Sequence, residues 1–102
     1  MAIVEISIVP MGTSTPSVSQ YVARAIGVLE KQKGIKYRLT GMGTILEGDL
    51  TEVLAAAQKM HEVIFDEQVK RVVTSIRIDD RRDKESSIDY KTQSVAKKLK
   101  QQ

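Results

Sequence analysis

Apolar and polar positions alternate from Ala2 to Met11. Ala2, Val4, Ile6 and Ile8 share one face, while Ile3, Glu5, Ser7, Val9 and Met11 share the other, the two-residue period of a strand. The first face is wholly apolar and calls for helices packed on it; the second is mixed, with a carboxylate at its centre. Pro10, lacking an N–H, belongs at the ladder's margin. The period then lengthens. Val18, Tyr21, Val22, Ala25 and Leu29 form a helical stripe, with Ser14 or Thr15 expected as cap, Pro16 in the first turn and Gly34 as the stop after about Lys33. Ile35 to Leu39 reads as a strand again.

The stretch from Leu39 to Asp49 folds two strands back on each other. Its Gly41-Met42-Gly43 break is looser than an Asn-Gly turn, so a bulged or wider hairpin is expected, with glycines at positive φ and Thr40 and Thr44 at its shoulders. Asp49 with Glu52 resembles a capping box, opening a helix whose stripe is Val53, Ala57, Met60 and Ile64 and whose end falls near Asp66 or Glu67. Arg71 to Asp79 alternates once more, with Val72, Thr74, Ile76 and Ile78 opposite Val73, Ser75, Arg77 and Asp79. A polar turn leads to a short helix from about 87 to 100 with a weak apolar edge of Ile88, Val95 and Leu99.

Strand, helix, strand, strand, helix, strand and an appended helix make a single α+β domain over residues 1–102. This is the ferredoxin-like βαββαβ order, with an antiparallel four-stranded sheet and both long helices on one face. The other face carries Ile3, Glu5, Ser7 and Val9 beside Val73, Ser75 and Arg77. It is too apolar for plain solvent and too polar for a core, so a second subunit is expected to cover it. Antiparallel pairing brings Glu5 to Arg77.

Composition narrows the chemistry. The chain has 102 residues, no cysteine, one histidine and a net charge of +3. Disulfides, thiolate metal sites and cysteine nucleophiles are therefore excluded, and a reducing, cytoplasmic setting is expected. No apolar run approaches the ~20 residues of a membrane span, and no signal peptide is indicated. The basic tail at Lys97, Lys98 and Lys100 suits the end of a helix dipole. RNA-binding relatives of this topology stack bases on strand aromatics. Here only Tyr37 is on a strand, so nucleic acid is not expected as a partner. His61 lies beside the second helix's apolar stripe and reads as a satisfied helix histidine. Asp79, Asp80, Asp83 and Glu85 alternate with Arg81, Arg82 and Lys84, which reads as a salt-bridged turn rather than a metal site. Neither a phosphate loop nor a catalytic triad is present; no catalytic residue, metal or resident cofactor is expected.

Three stretches carry a resemblance. Ile8-Val9-Pro10-Met11-Gly12-Thr13, then Thr40-Gly41-Met42-Gly43-Thr44-Ile45-Leu46-Glu47-Gly48, then Arg71 through Arg82 resemble the signature stretches of the thiamine-binding protein family, in order and over nearly the whole chain. The resemblance implies a ferredoxin-like fold, dimers assembling into tetramers, and non-catalytic binding of thiamine or its hydroxymethylpyrimidine half. A site for that ligand needs apolar walls, hydroxyl partners and a carboxylate left un-neutralised for the thiazolium cation. Ser7, Thr13, Thr40 and Thr44 offer hydroxyls, Met11 and Met42 offer adaptable apolar surface, and either Glu5 or Glu47 offers the charge. Gly48 leaves room beside Glu47 for another molecule. The competing reading is an interaction module whose open face serves only assembly or partner docking. An unpaired acid facing a cavity separates the two.

Overall fold

The computed structural model describes residues 1–14, 18–84 and 87–101. Strands β1 (Ala2–Met11), β2 (Lys36–Thr40), β3 (Gly43–Gly48) and β4 (Arg71–Asp80) form one sheet in the order β2-β3-β1-β4. Helices α1 (Ser19–Glu30) and α2 (Leu50–Glu62) follow β1 and β3, and α3 (Ile88–Lys100) closes the chain. Every strand pair is antiparallel, so the α+β ferredoxin-like arrangement is the one the pattern dictates.

The core lies between α1, α2 and the apolar face of the sheet. Val4 and Ile6 of β1 and Leu46 of β3 meet Tyr21, Ala25 and Leu29 of α1 and Val53, Ala56, Ala57 and Met60 of α2. The helix ends differ from expectation. Ser14 lies in a bend outside α1, and Gly12 at φ 76° turns the chain out of β1. The helix starts on the Val18 carbonyl, which accepts from the Tyr21 and Val22 N–H groups, and Val18 has no side-chain group to cap it. Thr15 and Pro16 lie outside the described residues. Gly34, at φ 84°, turns the chain into β2 four residues after α1 has ended.

Asp49 caps α2 by accepting the Glu52 N–H at 3.3 Å, as its spacing requires. The helix stops at Glu62, short of the expected end, because Asp66 caps the next turn instead. It accepts the Gln68 and Val69 N–H groups at 2.8 Å each, and these bonds, with the Arg24 guanidinium, hold its carboxyl below the usual aspartate range. Arg24 of α1 also donates to the Val63 carbonyl, closing the end of α2 from the neighbouring helix.

The hairpin is tighter than expected. The β2–β3 register runs without interruption from Lys36↔Glu47 to Thr40↔Gly43, leaving Gly41 and Met42 as a two-residue turn with no bulge. Neither glycine has a positive φ. What the turn needs instead is Thr40, whose Oγ1 accepts from the Met42 and Gly43 N–H groups at 3.2 and 3.1 Å and donates to the Gly43 carbonyl at 2.8 Å. Gly43 is required by close approach: a Cβ there would lie 2.8 Å from the Ile6 carbonyl oxygen. Gly48 likewise makes room for its own chain and not for another molecule, since a Cβ would lie 3.1 Å from Val53 and 3.2 Å from the Gly34 carbonyl.

Both faces of the sheet depart from the simple picture. Ile76 and Ile78, on the helix side of β4, are 42% and 48% exposed, because β4 is the outermost strand on its side and the helix layer stops short of its tip. On the opposite face, α3 is held by its own chain. Ile88 is buried, Asp89 pairs with Lys36 and Arg38 of β2 at 2.6 and 3.0 Å, and Lys91 pairs with Asp79 of β4. Ser87 caps the helix by accepting the Tyr90 N–H. Past its first turns α3 extends away from the sheet, with Val95 and Leu99 exposed. The radius of gyration is accordingly 15.4 Å, against the ~13 Å of a compact 100-residue domain.

Candidate functional site

The β1–β3 ladder stops at Ile6↔Thr44, whereas β1 continues to Met11. The side of Ser7–Val9 that faced β3 therefore has no ladder partner, and a cavity of about 710 Å³ opens there, between α1 and the hairpin. One helical stripe of α1 (Ser19, Val22, Ala23, Ile26 and Glu30) forms a wall, the hairpin from Leu39 to Thr44 faces it, and Met60 of α2 and Ile64, just past the end of that helix, lie behind. The lining is mainly apolar. Thr44 is only 5% exposed, and its hydroxyl makes no hydrogen bond with any described residue. Tyr21, buried in the same wall, has its ring 5.1 Å beneath the Arg24 guanidinium. Glu30, at the far end of the stripe, forms no ion pair among the described residues.

The eight expected site residues do not converge. Ser7, Thr40, Met42 and Thr44 line this cavity, although the Thr40 hydroxyl is committed to the turn and Met42 is the exposed tip. Glu5 lies on the opposite face with its carboxylate 3.0 Å from Arg77, the pairing its register dictates. Met11 is exposed at the end of β1, and neither it nor Thr13 lines the cavity.

Glu47 is on the opposite face too, in a row that crosses all four strands: Lys36, Glu47, Ile3 and Asp79 are successive partners. The first turns of α3 clamp both ends of that row, through Asp89 and Lys91. This accounts for Glu47 being 8% exposed. Its carboxylate makes no hydrogen bond or ion pair among the described residues; its charge helps raise the pKa of Lys36, mainly set by the bond to Asp89. The acid on the cavity itself is Glu30. The signal for it was the second stripe of α1, at 19, 22, 23, 26 and 30, which the apolar stripe overshadows.

His61 is a bonded helix histidine, its Nδ1 2.6 Å from the Thr74 hydroxyl and its ring edge-on to Phe65. The acidic turn is salt-bridged, Arg81 to Asp83 and Arg82 to Asp80; Glu85 lies outside the described residues. Among the described residues no cluster of three or more histidine, aspartate or glutamate side chains is arranged to hold a metal, and no helix is long and apolar enough to cross a membrane.

Known proteins place this architecture. The chain is 48% identical to UPF0045 protein YqgV of Bacillus subtilis, over 97% of this chain and 98% of that one. The crystal structure of a hypothetical protein from Methanocaldococcus jannaschii is 42% identical and superposes with a TM-score of 0.85 over 93% of this chain and 95% of that one. A Thermotoga maritima protein, described as a candidate thiamine biosynthesis/salvage protein, shares the fold at 22% identity, with a TM-score of 0.74 over 92% and 97% of the two chains. The model of the thiamine-binding protein family matches residues 4–96, and with these relatives it shows that this chain belongs to that family.

Proposed function

We propose that the cavity between α1 and the β2–β3 hairpin binds thiamine or its hydroxymethylpyrimidine half without chemical change, the protein acting as carrier, buffer or sensor. The observation that carries this reading is an apolar recess with a hydroxyl left open to it, on the otherwise buried Thr44, at its wall and one acid outside any ion pair among the described residues, Glu30, at its end. Its ~710 Å³ falls within the ~300–1,000 Å³ of small-ligand pockets. The aminopyrimidine has donors and acceptors to match the Thr44 hydroxyl and the unladdered side of Ser7–Val9, and Glu30 suits the thiazolium cation. Membership of the thiamine-binding family supports the ligand class. We further propose that copies assemble, as a dimer of dimers in a cytoplasmic setting, using the part of the open face that α3 leaves bare around Val9, Met11 and Val73.

Calorimetric titration with thiamine, its phosphates and hydroxymethylpyrimidine tests the ligand. Thr44→Val is expected to weaken both thiamine and the pyrimidine about tenfold, the cost of one lost hydrogen bond of ~1–1.5 kcal/mol. Glu30→Gln is expected to weaken cationic thiamine by a similar factor and leave the neutral pyrimidine unchanged. Glu47→Gln, on the other face, is the control and should leave both affinities alone. Absence of binding by every compound, or a loss only with Glu47→Gln, would overturn the site.

A further inference from the structure

The cavity between α1 and the hairpin is electrically one-sided. Among the described residues that line it, Glu30 is the single formal charge, with no lysine, arginine or histidine. None of the residues outside the described ones is basic either. α1 borders the cavity from Ser19 to Glu30, a span of roughly 16 Å at ~1.5 Å per residue. Its dipole adds to the asymmetry, electropositive at the Ser19 end and electronegative at the Glu30 end.

Thiamine carries its groups in a matching order. The aminopyrimidine is at one end, the thiazolium cation follows, and the hydroxyethyl group that can be esterified with phosphate lies on the far side of the cation. With the pyrimidine at Thr44 and the cation at Glu30, an esterified phosphate falls at or beyond Glu30. It would bring ~1.5–2 negative charges at neutral pH, face a carboxylate and the carbonyl end of α1, and give up water against an apolar wall.

The neighbouring groove offers no compensation. Glu30 also borders a second recess, between α1 and α2, where Lys31 and Lys59 are the cations outside any ion pair among the described residues. Glu30 and Glu62 on the same walls offset them. Arg24, the remaining cation there, is already paired with Asp66 and bonded to the Val63 carbonyl. The surroundings of Glu30 therefore carry no surplus of positive charge for a phosphate.

We infer, on the binding proposed above, that Glu30 is a specificity-determining residue: the site takes the unphosphorylated cation or the neutral hydroxymethylpyrimidine and discriminates against thiamine phosphates. Like charges about 6 Å apart near a protein surface repel enough to cost on the order of tenfold in affinity.

Calorimetric titration of the wild type, Glu30→Gln and Glu30→Lys with thiamine, thiamine monophosphate and hydroxymethylpyrimidine tests this. The wild type is expected to prefer thiamine to its monophosphate about tenfold. Glu30→Gln should bring the two within about threefold, because thiamine loses its counter-charge while the monophosphate loses attraction and repulsion together. Glu30→Lys should reverse the order, with the monophosphate above thiamine. Glu30 is exposed, so neither substitution disturbs the core, and the affinity for the neutral pyrimidine is the internal check that the cavity is intact.

A wild type that binds thiamine and its monophosphate equally, or prefers the phosphate, would overturn the selectivity while leaving the cavity as the binding site. A preference for thiamine that survives Glu30→Lys would overturn the role of Glu30. A wild type that binds neither thiamine nor the pyrimidine would overturn the binding site itself, and the selectivity with it.

Discussion

The two edges of the sheet are treated oppositely. β2 is five residues long, and its open-face charges Lys36 and Arg38 are tied down by Asp89 of α3. Its end is sealed by the three hydrogen bonds of Thr40. β4 is twice as long and uncharged from residue 72 to 76, and among the described residues of α3 only Lys91 forms an ion pair with it. A short, charged edge resists further strand pairing, whereas a long, uncharged one lacks that protection. The difference also explains why the cavity lies on the β2 side. There the short hairpin ends while β1 runs on, and the gap becomes a recess rather than a ladder.

The sharpest way to break the β2 side is Gly43→Ala. The added Cβ would meet backbone, the Ile6 carbonyl, at 2.8 Å, so the hairpin has to move. We expect a loss of ~1–3 kcal/mol, read as a fall in Tm of roughly 4–8 °C per kcal/mol for a domain this size. The moved hairpin would also lose the cavity wall and, with it, ligand binding. An unchanged Tm would mean that the hairpin tip is not packed as described.

A smaller effect is expected from Thr40→Val, which leaves two N–H groups at an exposed turn to find water. About 1–2 kcal/mol is expected, set against less than ~1 kcal/mol for Thr74→Val on β4, where only the His61 contact is lost. Urea denaturation of both variants makes the comparison; equal losses would remove the claim that the β2 turn is the more tightly held of the two sites.

The smallest effect belongs to pH and concerns how α3 guards β2. The Asp89 carboxyl lies below its ordinary value of 3.8 because it accepts from Lys36 and feels that charge, with Arg38 adding to both. Lys36 is raised above 10.5 by the same bond. A depressed acid contributes docking free energy that is complete above pH 3.8 and is lost as pH falls through the lower folded value; a raised lysine contributes below 10.5 and loses it as pH rises further. α3 should therefore stay docked from about pH 4 to about pH 10 and loosen in acid before the core unfolds. NMR amide shifts of residues 88–92 followed from pH 6 to pH 2 would show this, and Asp89→Asn should abolish the acid step. A step that survives Asp89→Asn would assign the docking to Ile88 alone.

Much of this was legible in the chain. Two-residue alternation marked β1 and β4, the stripes through Ala25 and Ala57 marked the helices, and Asp49 announced its cap, because these signals are local and each residue's role is decided by neighbours within a turn. The pairing of Glu5 with Arg77 was also accessible, since strand order and period together set the register. The resemblance located the hairpin and β4 as the distinctive stretches.

Other features depended on where elements end relative to one another. Thr40 and Thr44 look alike in sequence, yet one hydroxyl is consumed by the turn and the other is left on a cavity, because only the three-dimensional ladder shows that the pairing of β1 with β3 ends at Ile6↔Thr44 while β1 continues. Glu47 reads as a ligand acid until the register puts it in the row that α3 covers, and Glu30 reads as an ordinary helix end until α1 is laid across the hairpin. Period and propensity are properties of one segment and can be read along the chain. Burial, pairing and the ownership of a charge are properties of two segments brought together, and for those the sequence alone has no distance to measure.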